Sequence, residues 1–260
     1  MLRILARSIP FVVLLAAWQA AGRAGIINQQ ILPVPTDVFR ALCALSVSGE
    51  LWEHVAQSVK RVIIGFVFAA AGGTGLGIVT GYFRRLTRFV MPLCEFLRPI
   101  PPIAWIPVAI LWFGLGDAPA YFIVFVGAFF PVYIHTYWGI VASKSMYYHV
   151  ARNFGLPRMA ILREVILPGS LPQLLQGLRI GLGLAWTSVI SAELVGAQSG
   201  LGYMIQLNRI MLKTHNIIAG MIVIGTLGFF MNNAMARLQR AVTRWDVETF
   251  EYVRGVGRNR

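Results

Sequence analysis

Charged residues are scarce in this chain. Asp, Glu, Lys and Arg make up 13% of its 260 residues and only 10 residues are acidic, whereas 57% are hydrophobic. So few charges cannot cover the surface of a soluble domain of this length. The composition therefore excludes an ordinary soluble protein and predicts an integral membrane protein.

Cysteine and histidine are sparse as well. The two cysteines, Cys43 and Cys94, and the four histidines lie outside any C-x-x-C or Cys/His cluster. The spans predicted below place the two cysteines on opposite sides of a membrane, too far apart for a disulfide. We therefore expect neither a disulfide nor a metal site.

The sequence also lacks the loop that cradles the phosphates of ATP, G-x-x-x-x-G-K-[ST]. Its three lysines, Lys60, Lys144 and Lys213, follow Val, Ser and Leu, never Gly. Paired carboxylates, H-E-x-x-H and G-x-S-x-G are missing too. The chain is therefore predicted to be neither an ATP hydrolase nor another enzyme.

The chain contains several long apolar runs. A bilayer-spanning helix needs about 20 mainly apolar residues, and the predicted spans are 8–22, 61–83, 87–113, 118–141, 170–196 and 216–238. The first is short and follows Arg3 and Arg7, as in a signal peptide, but Trp18-Gln19-Ala20 is a poor cleavage site, which favours a retained anchor. We expect an all-α bundle of about six transmembrane helices that forms a single transmembrane domain over residues 1–260.

The net charge of +13 is unevenly distributed along these predicted spans. With the N-terminus inside, fifteen of the 23 basic residues fall in cytoplasmic segments and six in external ones. This asymmetry orients helices during insertion and favours contact with anionic lipids. It predicts that both termini are cytoplasmic, and it explains the basic charge without nucleic-acid binding.

Small residues form stripes on two of the predicted helices. They recur every four residues in the second span and again in the fifth, at Gly65, Ala69, Gly73, Gly77 and Gly81 and at Gly177 and Gly181. Close backbone approach through small residues supplies the contact energy between helices in lipid. The stripes predict tight packing or, alternatively, a sliding surface that lets helices rock.

The third span begins with four prolines in nine residues, from Pro99 to Pro107. Proline removes a backbone donor and disfavours helix at the preceding residue. Unpaired carbonyls inside a membrane are tolerated only against protein or a water-filled cavity. This segment is therefore expected in the bundle interior, where it could line a path.

Four charged residues lie more than two positions inside the ends of the predicted spans: Glu95, Arg98, Arg179 and Glu193. Pairing between Glu95 and Arg98, or placement at the membrane interface, is one interpretation. The other is function, because charge in hydrocarbon is costly. Arg179, Trp186 and Glu193 are spaced by seven and share one helix face, predicted to point inward. The candidate path residues are Arg98, Trp105, Arg179, Trp186, Ser191 and Glu193.

Residues 142–170 form the least hydrophobic interior segment. It carries four basic residues against the single acid Glu164, and it contains the spacing A-x3-G-x11-LP at Ala151, Gly155 and Leu167-Pro168. Helix-forming stretches on both sides are interrupted once, at Gly155-Leu156-Pro157. This segment is predicted to be a cytoplasmic docking loop.

This segment resembles the coupling loop, often called the EAA loop, of permease subunits of ATP-binding-cassette importers. The residues that the resemblance assigns to ATPase coupling are His149, Ala151, Gly155, Leu156, Pro157, Arg158, Leu167 and Pro168. His149-Val150 departs from the usual acidic residue and alanine. In relatives that acid is expected near the start of the first coupling helix, where negative charge suits a helix N-terminus.

Three further blocks strongly resemble the nitrate, sulfonate and taurine branch of these permeases. They are LRPIPPIAWIPVAILWFGLGDAP (97–119), GLRIGLGLAWTSVISAEL (177–194) and SGLGYMI (199–205). The resemblance implies the MetI-like helical fold of type I importers in a bacterial plasma (inner) membrane. It also implies two ATPase subunits carrying ATP and Mg²⁺, an external solute-binding protein and a second permease copy. We expect that copy to be the same chain, and a different permease chain is the alternative.

The resemblance further implies import of a small anion, such as an aliphatic sulfonate, taurine, nitrate or bicarbonate. A neutral heterocycle or vitamin precursor is the alternative substrate. A secondary transporter or channel would be expected to bury more acidic or histidine relay residues, and a membrane-embedded enzyme would need a catalytic constellation. Copurification of an ATPase distinguishes the importer from both.

Overall fold

The computed structural model describes residues 2–26 and 28–243, and all the regular secondary structure within them is helical. The helices are α1 Leu2–Arg23, α2 Pro35–Val47, α3 Glu50–Tyr82, α4 Arg84–Leu97, α5 Ile106–Phe113, α6 Asp117–Asn153, α7 Arg158–Ala160, α8 Leu167–Gly196, α9 Leu201–Ile210 and α10 Thr214–Val242. A 3₁₀ turn, Pro102–Trp105, precedes α5, and a π-helical segment, Ile161–Ile166, joins α7 to α8.

Four of these helical runs are long and apolar enough to cross a membrane: Glu50–Tyr82, Asp117–Lys144, Arg158–Gly196 and Thr214–Val242. A fifth span results if the bent pair of α4 with Pro102–Phe113 is counted as one crossing. Within the described residues α1 does not meet the same criteria, so the count of six stays a prediction. The multi-span helical architecture is confirmed.

Helices α3, α6 and α8 form the centre of the bundle. Gly65 of α3 packs against Val124 of α6 and Gly81 packs against Ile140, so α3 and α6 run parallel. Helix α8 runs antiparallel to α6, and α10 antiparallel to α8. We call the end that carries residues 142–170 the loop end, and the end where α3 and α6 begin the opposite end.

The predicted close approach along the glycine stripe is confirmed. A Cβ atom added to Gly65 would lie 2.6 Å from Val124, and one added to Gly77 would lie 2.7 Å from Thr136. Because real Cβ atoms do not approach so closely, the stripe is what lets the α3 and α6 backbones meet. Whether the helices slide along it stays a prediction.

The predicted distortion of the third span is also confirmed. Helix α4 ends at Leu97, and the chain bends by 90° before the segment Pro102–Phe113. Pro99, Pro101 and Pro102 lie at this bend, where they deny the backbone the donors that a continuous helix needs. Helix α5 then packs at the opposite end, with Ile106 and Ala109 against Ala192 of α8.

Candidate functional site

The segment 142–170 is a helical hairpin built from the ends of two long helices. Helix α6 continues without a break to Asn153, and the second arm begins at Arg158 and continues to Gly196. Residues 154–157 alone are not helical. The predicted break at Gly155-Leu156-Pro157 is confirmed, but the arms are extensions of α6 and α8 rather than separate short helices.

Gly155 ends the first arm in the left-handed conformation, with φ +79°. The Leu156 N–H donates to the Ala151 carbonyl at 3.3 Å, and the Gly155 N–H donates to the Arg152 carbonyl at 3.0 Å. This is the pairing of a Schellman cap, which favours glycine because a side chain at positive φ is strained. Pro157 then adopts an extended conformation immediately before the second arm.

An apolar cluster holds the two arms together at the loop end. Its buried members are Ile140, Ala151, Ile161 and Ile166, and we call it the loop-end cluster. Leu156, Leu167 and Tyr82 of α3 pack against it. The Lys144 ammonium also donates to the Tyr82 carbonyl at 2.7 Å, which ties the first arm to the end of α3. The arms are therefore fixed to each other and to the bundle.

The tip of the hairpin presents apolar and basic groups outward. Phe154 is 81% exposed and Met159 is 59% exposed. Arg152 and Arg158 are exposed beside them, as are Pro157 and Pro168. The Arg152 guanidinium donates to the Tyr148 hydroxyl and lowers the pKa of Tyr148. A surface of exposed aromatic, Met and Arg side chains is typical of protein interfaces.

The placement expected for His149 is wrong. His149 lies four residues before the end of α6, not near the start of a helix. The helix dipole at that position favours a cation over an anion. The departure from the acidic residue is therefore compatible with the local electrostatics, and its exposed ring makes an edge contact with Tyr148.

The six candidate path residues are dispersed rather than gathered into one site. Arg179 Nε donates to Asn232 Oδ1 at 3.0 Å, and Trp186 Nε1 donates to the Ile224 carbonyl at 3.1 Å, so both contact α10. Ser191 donates to the Thr187 carbonyl within its own helix. The predicted Arg179–Trp186 face thus points toward protein.

Trp105 and Arg98 flank the proline bend but line different clefts. Trp105 lies in an apolar cleft with Trp112 and Phe122. Arg98 lines a second cleft of about 360 Å³ with His135, Pro131 and Ile180, which we call the Arg98 cleft. Of the six candidates, Arg98 alone faces this space.

Glu193 belongs to a buried ion network that sequence reasoning missed. It consists of Ser58, Arg61, Asp117, Glu193 and Ser199, and Arg61 is only 2% exposed. The Arg61 guanidinium donates to Glu193 Oε1 at 2.8 Å, to Asp117 Oδ1 at 2.6 Å and to the Ser199 carbonyl at 2.6 Å. Such complete pairing is what makes charge tolerable in a bundle interior.

The same network also pairs backbone groups of the segment that enters α9. Glu193 Oε2 accepts the Gly202 N–H at 2.9 Å, and Ser58 Oγ accepts the Leu201 N–H at 2.8 Å. A Cβ atom on Gly202 would lie 2.7 Å from that of Glu193. The glycines of the 199–205 block are therefore needed for close contact, and the network joins α3, α6, α8 and α9 at the opposite end.

The spacing of residues along the sequence does not reveal this network. Arg61 lies 56 positions from Asp117 and 132 from Glu193. The predicted second span begins at Arg61, which assigned that residue to an external boundary, whereas α3 begins at Glu50. The one available signal was an arginine directly preceding a long apolar run.

Comparison with known proteins decides the family. Residues 73–245 match the family described as binding-protein-dependent transport system inner membrane component. The chain belongs to this family. It is therefore a transport component of an ATP-binding-cassette importer and a multi-pass protein of the inner membrane.

Several relatives of this permease have named substrates. The taurine transport system permease protein TauC of Escherichia coli is 33% identical over 91% of this chain and 88% of its own length. The bicarbonate transport system permease protein CmpB of Synechococcus elongatus is 36% identical over 75% of this chain and 70% of its own. A Bacillus subtilis protein named for aliphatic sulfonates transport, SsuC, is 35% identical over 90% and 84%.

Solved structures show the same fold. An inward-facing structure of the MetNI methionine ABC transporter matches with a TM-score of 0.68. It covers 76% of this chain and 98% of the matched chain, at 22% identity. The expected MetI-like fold is thereby confirmed.

Proposed function

We propose that this permease forms the translocation path of an ATP-driven importer and couples to its ATPase through the hairpin tip. The observation that carries this proposal is the hairpin itself: two arms continuous with α6 and α8, capped at Gly155, with Phe154 and Met159 exposed. Large exposed apolar groups on a rigid projection indicate a partner surface. The apolar and basic tip suits an ATPase subunit.

ATP and Mg²⁺ are held by two such ATPase subunits, since this chain has no phosphate-binding loop. A second copy of the same permease completes the path, because the six or fewer spans of one copy do not enclose it alone. The solute arrives from an external binding protein. The hairpin residues assigned to coupling are His149, Ala151, Gly155, Leu156, Pro157, Arg158, Leu167 and Pro168.

The loop end is cytoplasmic in this proposal, as are both termini. Basic residues support this orientation, because the start of α4 and both hairpin arms carry them at that end: Arg84, Arg85, Arg88, Arg152, Arg158 and Arg163. Positively charged segments of this kind are retained on the inner side of the membrane.

The external binding protein has a candidate docking surface at the opposite end. A depression of about 810 Å³ lies between the α2 region and the start of α10. Charges of both signs line it, including Asp37, Arg40, Glu50 and Lys213. Mixed charge at a polar interface favours orientation and rapid encounter.

The substrate is a small oxyanion. The relatives described above are named for taurine, aliphatic sulfonates and bicarbonate, which share a negatively charged group with several oxygen acceptors. The unpaired guanidinium of Arg98 in the Arg98 cleft favours an anionic substrate over a neutral heterocycle. A secondary transporter has no use for the coupling hairpin.

Copurification and transport test this function together. The tagged permease, expressed with the ATPase and binding protein of its own importer, should retain the ATPase and, in proteoliposomes, accumulate radiolabelled taurine, ethanesulfonate, nitrate or bicarbonate only with ATP and binding protein. Uptake driven by an ion gradient without ATP, or absence of a retained ATPase, would overturn the proposal.

A substitution at the tip makes the test specific. Phe154→Asp should lower the amount of retained ATPase at least about tenfold. An aromatic side chain that becomes buried when two proteins bind supplies much of the binding free energy of their interface. Phe39→Asp is the matched control, because Phe39 is 66% exposed on α2 near the opposite end. Equal retention by both variants would exclude the hairpin tip as the docking surface.

A further inference from the structure

The Arg98 cleft combines a break in the bundle with an unusual charge balance. It lies where the chain bends after α4, between the Pro131 turn of α6 and the middle of α8. Eleven residues line it, and none of them is Asp or Glu. The cleft therefore has one cation, Arg98, one imidazole, His135, and apolar walls, but no carboxylate.

Among the residues that the structure describes, Arg98 has no counter-ion. Among residues 2–26 and 28–243 the ion pairs involve other groups, and no carboxylate lies within 4.0 Å of the Arg98 guanidinium. Its neighbour Glu95 on α4 is exposed and unpaired with it. Arg98 is exposed where the chain bends, and because an unpaired arginine that faces hydrocarbon is costly, its position favours a water-filled or ligand-filled space.

His135 contributes the second polar group, from the opposite wall. It packs against α8, where a Cβ atom added to Gly177 would lie 2.6 Å from the His135 Cβ. Gly177 therefore lets the α6 backbone come close enough to fix the imidazole. Neutral or protonated, an imidazole offers at least one N–H donor.

We infer that Arg98 and His135 form an oxyanion-selecting site within the translocation path. The guanidinium binds a sulfonate, carboxylate or nitrate group through two parallel N–H donors, a geometry that suits planar or tetrahedral oxyanions. The imidazole donates to a remaining oxygen. This inference rests on the proposed transport function. It places the selection of the solute by its charge at Arg98 and His135.

Size and surroundings agree with a small ligand. The cleft volume of about 360 Å³ lies at the lower end of the roughly 300–1,000 Å³ typical of ligand sites. Phe130, Ile134 and Leu184 supply apolar walls, against which the carbon atoms of an organic sulfonate pack. Apolar walls also lower the local dielectric and strengthen the attraction between cation and anion.

The rates at which thiol reagents of opposite charge react with a cysteine in the cleft measure the electrostatic potential there. This measurement does not require the transported solute to be known. Ile180 lines the cleft and is 38% exposed. Ile180→Cys in a Cys43→Ser, Cys94→Ser importer complex should react at least about tenfold faster with a sulfonate-bearing methanethiosulfonate than with its trimethylammonium counterpart. Val47→Cys, 89% exposed on α2, calibrates the intrinsic rates of both reagents.

Arg98→Gln in the same background should abolish that preference, and Arg98→Lys should retain most of it. Arg88→Gln is the matched control, because it removes the same charge from an exposed position of the same helix. Equal rates with both reagents in the presence of Arg98, or no reaction with either, would overturn the site.

Transport gives the second measurement and separates this inference from the general function. Arg98→Gln should reduce ATP-driven uptake of the transported oxyanion at least about tenfold, which is 1.4 kcal/mol, while the complex still retains its ATPase. His135→Gln should reduce uptake less. If the unaltered importer accumulates no oxyanion, the proposed function fails; if it does and Arg98→Gln matches it, only the site fails.

Discussion

The two ends of the bundle treat charge in opposite ways. At the opposite end, Arg61 is turned inward and is neutralised by Asp117 and Glu193. At the loop end, Arg152, Arg158 and Arg163 are turned outward, and an apolar cluster holds the arms together. Charged residues thus hold the helices together at the opposite end, whereas at the loop end they remain exposed and available to a partner.

This difference predicts different consequences for substitution. A buried ion pair that loses one member leaves an uncompensated charge, whereas a solvated charge is replaced at little cost. Substitutions in the buried ion network should therefore act on stability, and those at the hairpin should act on coupling.

Arg61→Leu is expected to have the largest effect on stability. It leaves the buried Glu193 without a cation and leaves Asp117 paired only with the exposed Lys60. The substitution should therefore lower the free energy of unfolding by about 3–5 kcal/mol, measured by reversible unfolding in mixed micelles. Lys60→Leu is the control, because the Lys60 ammonium lies 3.6 Å from the same Asp117 carboxylate but its side chain is 53% exposed. A loss no larger than that of Lys60→Leu would contradict the role of the network.

Gly155→Val should abolish transport while leaving the permease in the membrane. A β-branched residue at φ +79° is strained by roughly 1–3 kcal/mol, which the hairpin relieves by changing its cap and the position of its tip. Uptake in proteoliposomes and the amount of membrane-inserted protein are the measurements.

Gly49→Val provides the matched control for the loop end. Gly49 has φ +82° and, like Gly155, no atom within 4 Å of an added Cβ. The two substitutions impose the same local strain at opposite ends. Transport lost equally in both variants would show that strain, not coupling, is responsible.

His149→Glu should have the smallest effect. An added carboxylate near the end of α6 opposes the helix dipole by about 0.3–1 kcal/mol, so ATPase stimulation in reconstituted complexes should change only slightly. His149→Lys, which suits the dipole, is the comparison. Loss of stimulation with glutamate but not lysine would instead assign His149 to a specific contact with the ATPase.

Much of this architecture follows from local sequence. Apolar runs located the four long spans, the prolines from Pro99 onward located the bend, and Gly155-Leu156-Pro157 located the tip. Boundaries were less accurate: α3 begins at Glu50 rather than 61, and α6 continues to Asn153 rather than 141. Hydropathy detects the apolar part of a helix, and both helices extend beyond it with polar residues.

The buried ion network and the Arg98 cleft depend on contacts between distant residues. In the sequence, Arg61 has the position of a charge at the end of a span. Only the folded structure brings it to Glu193, which is 132 positions away. His135 gave no sequence signal at all, because its relation to Arg98 exists only once α4 has bent. Pairings of this kind are set by tertiary packing, not by spacing along the chain.

The continuity of the hairpin arms with α6 and α8 has a mechanical consequence. Helix α6 has 37 residues, so at 1.5 Å per residue it is about 55 Å long, and the hairpin tip and the wall of the Arg98 cleft at Pro131 belong to the same helix. The second arm differs, because it contains a π-helical segment at Ile161–Ile166, and such segments are rare interruptions of the regular α-helical hydrogen bonding. We therefore expect a displacement of the hairpin tip to reach the bundle through α6 more directly than through the second arm.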